Sequence, residues 1–336
     1  MWLKYVELLP GWEEKHKNAL LHKTEKSIIM NIIWGVKLYF ASRKYDVIVT
    51  GFDRLAMTFA ILQRYLRTNR KPHILLHAYW NFNEEGIKKK LKILYYKFIL
   101  NSVTTLIVYG SYQKLVQKFF FGLKEDKFCV IPYHTTLDDY NVNTIDGDYV
   151  FAGGDGGRDY RTLIEAMQNL KYKLKIAALS MEHFKNIDIP ENVTIKSISK
   201  SEFMEWMAGA AIVAVPLQKN LLQSGGQQTF LNAMLLGKPV IVADDNSAFE
   251  YINDGVDGYV VEPGDANKIK EKIYVLMEDK KLRNTLGENG KITAEKYPPE
   301  RYIREVLFLA CKLGRNNKNT KTKMLPSNQP TRQSLS

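Results

Sequence analysis

Residues 224–244, SGGQQTFLNAMLLGKPVIVAD, decide how this chain is read. Ser224, Gly225 and Gly226 form a glycine-rich loop, Gln228–Leu236 has helical spacing, Gly237-Lys238-Pro239 is a tight turn, and Pro239–Ala243 is a short apolar strand. Loop, helix, turn and buried strand in that order are one step of a parallel α/β sheet. A loop that opens a helix leaves backbone N–H groups unpaired at the positive end of the helix dipole, which suits a phosphate or diphosphate. Gln227, Gln228 and Thr229 are the first-turn residues expected to offer those amides, with Gly225 and Gly226 leading into them. Asn232 lies one further turn in, where it could face a bound ribose.

The same grammar extends in both directions. Upstream, strand Tyr149–Ala152 runs into a turn containing Gly153, Gly154, Gly156 and Gly157, then Arg158, then helix Tyr160–Leu170. A glycine-rich turn followed by a guanidinium is a second phosphate-facing arrangement. Strands Lys175–Ala178, Val193–Ile195 and Ala211–Val215, with helix Lys200–Met207, complete this half, and helix Ala266–Met277 follows it. The first half repeats the pattern: strands Tyr45–Thr50, His73–His77, Thr104–Tyr109 and Phe128–Pro132 alternate with helices Leu55–Arg67, Lys88–Leu100 and Tyr112–Phe121. The polar, turn-rich stretch 133–148 reads as the boundary between two doubly wound domains, 1–147 and 148–297. Such a pair places an interdomain cleft beyond the carboxyl ends of its strands, where open α/β sheets take ligands. A helix over 298–313 could pack back on the first domain, and 314–336, polar and without apolar periodicity, reads as a disordered basic tail.

Composition narrows the partners. The 336 residues carry 48 Lys+Arg against 36 Asp+Glu, a net charge of +12. The excess is uneven: 22 basic against 13 acidic residues in 1–147, 21 against 23 in 148–312, and five against none in 313–336. The basic residues of the first half interleave with apolar ones at Lys88, Lys89, Lys90, Lys92 and Lys97, a pattern that suits an anionic membrane surface as well as a solvated helix face. No base-stacking or groove-reading module accompanies the charge, so a nucleic-acid partner is not expected. Two cysteines, Cys129 and Cys311, make neither a disulfide framework nor a thiolate metal site. The first residues lack the basic-then-apolar order of a signal peptide, and no uncharged apolar run reaches the roughly 18 residues of a spanning helix. The expectation is a cytoplasmic protein, peripheral at most on the inner face of the cell membrane.

The run from Asn232 to Gly290 resembles the nucleotide-sugar-binding domain of glycosyltransferase family 4, retaining enzymes of the GT-B fold. Gly237, Pro239, Val240, Glu250, Gly255, Gly258, Pro263, Gly264 and Asp265 fall in the places of that family's motifs. YVFAGGDGGRDYRTLIEA, 149–166, is similar to its strand, glycine turn and diphosphate-gripping residue, which here is Arg158. His77 stands where the family's active-site histidine ends its strand. The resemblance implies a GT-B glycosyltransferase of hexosyltransferase type. It implies a sugar moved from a nucleoside-diphosphate sugar to a polysaccharide or lipid-linked acceptor of the cell envelope, with retention and without a metal or other cofactor. His77, Arg158 and Ser224 would act on the reacting groups, and Gly153, Gly154, Gly225, Gly226, Gln227, Gln228, Thr229 and Asn232 would hold the donor.

Two departures from the family pattern stand out. Where it has two glutamates, this chain has Ser224 and Asn232, which hydrogen-bond without supplying a carboxylate. That leaves a second reading open, a catalytically silent nucleotide-sugar-binding protein or partner subunit. The family's opening strand and glycine loop also have no clear counterpart before Trp12. Asp146-Gly147-Asp148 has the form of a metal-holding Asp-x-Asp, but it sits in a turn where Asp and Gly are common, and no metal role is expected of it.

Overall fold

A computed structural model describes residues 28–51, 54–66, 70–76, 78, 80, 82, 85–137, 142–244 and 246–323. They fall into two compact units: one of the residues up to Ile107, Leu123–Cys129 and those from Arg304 on, the other of Val108–Gly122 and Val130–Ile303. The units therefore interleave along the chain instead of meeting at one boundary near residue 147.

The first sheet contains β1 (Ile48–Thr50), β2 (His73–Leu75), β3 (Thr105–Val108) and β4 (Phe128–Val130) in that order. Helices α2 (Arg54–Leu66), α3 (Gly86–Ser102) and α4 (Ser111–Phe121) make the crossovers, and α1 (Ile28–Ala41) precedes β1. Among the described residues this sheet advances in one direction only; the half that a doubly wound sheet would add before β1 is not among them. Tyr39, Ile48 and Phe59 form the core between α1, β1 and α2. His73 is buried against the edge of the Phe59 ring, with Nε2 hydrogen-bonded to Thr50 Oγ1 at 2.8 Å.

The second sheet has six strands, β5 (Tyr149–Gly153), β6 (Lys173–Ala177), β7 (Val193–Lys196), β8 (Ile212–Pro216), β9 (Val240–Ala243) and β10 (Tyr259–Val261). Their order is β10-β9-β8-β5-β6-β7, all parallel. Because side chains alternate along a strand, each strand feeds two cores. Val150, Ala152, Ile212, Ala214, Ile241 and Ala243 meet α5 (Tyr160–Met167) and α8 (Ala266–Glu278) on one face. Phe151, Val213, Val215, Val240 and Val242 meet α6 (Lys200–Ala208) and α7 (Gln227–Leu235) on the other. Burial on both faces explains why β5, β8 and β9 read as uninterrupted apolar runs.

After α8 come α9 (Lys280–Ala294) and α10 (Pro299–Lys323). The last helix runs ten residues beyond 313 into the stretch expected to be disordered; 324–336 lie outside the described residues. Apolar periodicity reports packing, not helicity. Residues 315–323 hold neither proline nor glycine, and once a helix is nucleated each further residue adds a backbone hydrogen bond.

Burial pushes the His73 imidazole down to about 3, so the folded protein keeps this ring neutral where the unfolded chain, at the ordinary histidine value of about 6.5, takes up a proton. The unfolded state then binds more protons, and stability falls as pH falls through 6.5, by about 2 kcal/mol on reaching about pH 5. Denaturant titrations of the wild type should show this limb and those of His73→Asn should lack it; equal slopes in the two proteins would assign the acid sensitivity elsewhere.

Candidate functional site

β5 and β8 are hydrogen-bonded neighbours, yet the chain leaves them in opposite directions, through β6 and β7 on one side and β9 and β10 on the other. The connections beyond their carboxyl ends therefore diverge and open a crevice, the usual ligand position in such sheets. Both connections carry glycines, the first at its start and the second just before α7. A Cβ on Gly153 would come within 2.3 Å of Phe203 Cε2, and one on Gly226 within 2.6 Å of Val215 Cγ1. Gly226 also has a φ of +77°, the left-handed region that other residues rarely adopt.

Arg158 lies between the two loops and is 5 % exposed. Its Nε donates to Gly153 O at 3.0 Å, Nη1 to Gly156 O at 3.0 Å and Nη2 to Thr229 Oγ1 at 3.1 Å. The planar fork of the guanidinium can reach all three acceptors at once; an ammonium could not span them. The neighbouring backbone is pinned to β8, with Asp159 N–H donating to Pro216 O and Gln218 N–H to Gly157 O. Asp159 then caps α5, its Oδ1 accepting the Thr162 N–H. The buried Tyr160 hydroxyl donates to Gly154 O, and burial raises that phenol well above its ordinary range. Arg158 thus carries its charge to Thr229, in the first turn of α7.

That turn has Gly226 at its cap and no side-chain cap. Gln227 turns its amide to Ser247 Oγ (2.8 Å) and Gln228 its amide to Thr136 Oγ1 (3.0 Å), so the two side chains hold the segments flanking the turn. Ser224 Oγ donates to Gln113 Oε1 at 2.9 Å, an oxygen that also accepts the Tyr109 N–H. Gln117, one turn on, donates to Leu222 O. Glu250 accepts the Ser111 and Tyr112 N–H groups at 2.8 and 2.9 Å and so caps α4, where a carboxylate meets the positive end of the helix. Gln113, Gln117 and Thr136 were not singled out from the sequence. The available signal was a pair of glutamines four residues apart on α4, both buried.

The structure brings Gly153, Gly154, Arg158, Ser224, Gly225, Gly226, Gln227, Gln228 and Thr229 to this one end of the second sheet. It corrects the expectation for Asn232, which is fully buried. Asn232 Oδ1 accepts the Thr136 N–H and Nδ2 donates to Thr136 Oγ1, each at 2.8 Å. An amide presents a donor and an acceptor side by side, the complement of a threonine's backbone N–H and hydroxyl, and that match turns Asn232 toward protein instead of ligand. His77 lies outside the described residues.

Residues 158–293 match the family model of glycosyl transferases group 1. The match takes in the glycine turn's Arg158, the loop at 224–226 and helix α7. An uncharacterized glycosyltransferase of Methanocaldococcus jannaschii is 28% identical over 171 residues, 49% of this chain and 46% of that protein. An N,N'-diacetylbacillosaminyl-diphospho-undecaprenol alpha-1,3-N-acetylgalactosaminyltransferase of Campylobacter jejuni is 30% identical over 99 residues, 30% of this chain and 25% of that protein. The chain thus spans about half the length of the first relative and a quarter of the second. Among solved structures, a sucrose-phosphate synthase from Thermosynechococcus elongatus superposes with a TM-score of 0.71 at 17% identity, over 88% of this chain and 81% of that one. Anabaena Alr3699/HepE in complex with UDP and glucose superposes with a TM-score of 0.64 at 15% identity, over 86% and 81%. The fold is GT-B. Within the matched residues, Glu250 and Asp265 of the family-like motifs act as caps, of α4 and of α8 respectively.

Replacing Asn232 by Ala strands the buried Thr136 N–H and leaves its hydroxyl only the Gln228 amide as donor, a loss of about 2 kcal/mol. Chemical denaturation should register that loss with UDP affinity held to within about twofold once folded protein is compared. Unchanged stability with a collapsed UDP affinity would instead place a ribose on this side chain.

Proposed function

We propose that this chain is a glycosyltransferase that moves a sugar from a nucleoside-diphosphate sugar to a polysaccharide or lipid-linked acceptor. The observation that carries the reading is Arg158, held at the sheet's switch point with its guanidinium on Thr229 in the first turn of α7. Backbone amides, a helix dipole and a fixed guanidinium converge there, and together they stabilise the negative charge that develops on a departing diphosphate. With protein donors in that role the reaction proceeds without a metal. Retention of anomeric configuration, hexosyl specificity and the part of His77 at the reacting face follow from the family resemblance. The group 1 match, the relatives' names and the UDP-bound neighbour all support a sugar-nucleotide donor.

Ser224 in this reading contacts the donor sugar from the mouth of the loop. A specific observation favours the silent-binder alternative: the serine hydroxyl is already given to Gln113, and Asn232 is turned inward. Incubation with a panel of nucleoside-diphosphate sugars separates the two. The enzyme releases nucleoside diphosphate in the presence of EDTA, and Arg158→Ala slows release by about 100-fold or more. Binding of a donor without turnover under any acceptor, indifferent to Arg158→Ala, would leave the silent binder standing.

The acceptor side carries a surface suited to a lipid-borne substrate. On α3, Lys88, Lys89 and Lys90 are exposed beside Ile87, Leu91 and Leu94, which are 69, 58 and 63 % exposed. Exposed apolar and cationic residues on one helix fit the interface of an anionic bilayer, where each basic residue contributes about 1 kcal/mol. Among the described residues no helix is long and apolar enough to cross a membrane. The placement proposed is peripheral, on the cytoplasmic face. Flotation with phosphatidylglycerol vesicles at low salt should carry the protein upward and fail for the Lys88→Glu, Lys89→Glu, Lys90→Glu triple variant; equal flotation of both would remove α3 from the account.

A further inference from the structure

At the opposite end of the second sheet, where β8 and β9 begin, lies a cavity of about 200 Å³. Thr144, Asp146, Gly237, Lys238, Arg283 and Asn284 are among the residues that line it. Lys238 and Arg283 are each more than nine-tenths buried, at 7 and 8 % exposure. The Lys238 ammonium donates to Ile145 O at 2.6 Å, which engages one of its three N–H bonds. Arg283 donates through Nη1 to Leu276 O and Met277 O at the end of α8, and through Nη2 to Asp146 Oδ1 at 3.3 Å. Its Nε–H is buried without a hydrogen-bond partner.

The charge count around the cavity is lopsided. Lys238, Lys280 and Arg283 face a single carboxylate, Asp146, which sits closer to the exposed Lys280 (2.7 Å) than to Arg283 (3.3 Å). Lys280, its hydrogen bond foremost, and Arg283 hold the Asp146 carboxyl below its ordinary value, and burial lowers that of Lys238. Two cations withdrawn from water, of which Arg283 has one long contact to a carboxylate and Lys238 a backbone carbonyl, are a costly arrangement unless a further anion completes it. An aspartate that already leans toward Lys280 can swing fully to it and leave the guanidinium edge to another oxyanion.

We propose that this cavity binds a small phosphate-class oxyanion, inorganic phosphate or the phosphate head of a monoester. Lys238 and the Nε edge of Arg283 are its donors, and Asp146 is a built-in competitor for the same cations. The site is separate from the sugar-nucleotide crevice, since it lies at the amino ends of the strands whose carboxyl ends carry Arg158 and the glycine loops. It does not depend on the proposed transferase activity.

Calorimetric titration of the full chain with inorganic phosphate, against chloride at matched ionic strength, tests it. Arg158→Ala serves as the background, so that phosphate in the donor crevice does not contribute. Removing the competitor in Asp146→Asn should tighten phosphate binding by about tenfold, and Lys238→Met should weaken it by at least about tenfold. A role confined to bracing residues 144–146 predicts the reverse for the aspartate: Asp146→Asn would lower stability and leave phosphate affinity unchanged, which would overturn the proposal. Should Lys238→Met fail to fold, amide resonances of Gly237 and Asn284 in the Arg158→Ala chain decide. Their shift on adding phosphate supports the site; their indifference up to about 10 mM, the weak end of specific binding, overturns it.

Discussion

A guanidinium removed from water must have its N–H groups met, and Arg158 meets them with two loop carbonyls and one hydroxyl from a different helix. Those three acceptors belong to connections that leave the sheet in opposite directions. By joining Gly153 and Gly156 after β5 to Thr229 after β8, the side chain fixes the spacing of two loops that the topology alone would let drift. The glycines are required by the same closeness, because a methyl group at Gly153 or Gly226 would overlap Phe203 or Val215.

A second layer of constraint comes from α4. Its amino end is held by Glu250, its buried Gln113 takes the Ser224 hydroxyl, and its Gln117 takes the Leu222 carbonyl. Residues more than a hundred positions apart thereby share one framework, and the compact unit that contains the loop includes 108–122. Ser224 is consequently not a free hydroxyl on a loop tip; its orientation is inherited from a helix that the chain passed through much earlier.

The parallel architecture was legible because burial on both faces leaves strands such as Ile212–Pro216 no room for polar residues, and because helices between them keep a 3.6-residue period. The glycine loops and Arg158 were legible from their order along the chain. The direction of a polar side chain was not: Asn232 is on the expected helix, but its partner Thr136 stands 96 residues away and nothing local announces it. Strand β10 is too short and helix α9 too polar on its outer face to announce themselves in the sequence. The length of α10 is likewise unannounced, because helix propagation needs no apolar stripe. Asp146 of the Asp-Gly-Asp turn, of which no metal role is expected, meets the cations Lys280 and Arg283, and neither partner is announced by the local sequence.

The proposed transferase depends on the amides at the start of α7 receiving a diphosphate beside Arg158. Hydrogen exchange of the full chain with and without UDP measures that directly, residue by residue. Binding should slow exchange at Gln227, Gln228 and Thr229 by about tenfold or more, and Arg158→Ala should abolish the slowing. UDP that binds while leaving those three amides unprotected would contradict the account.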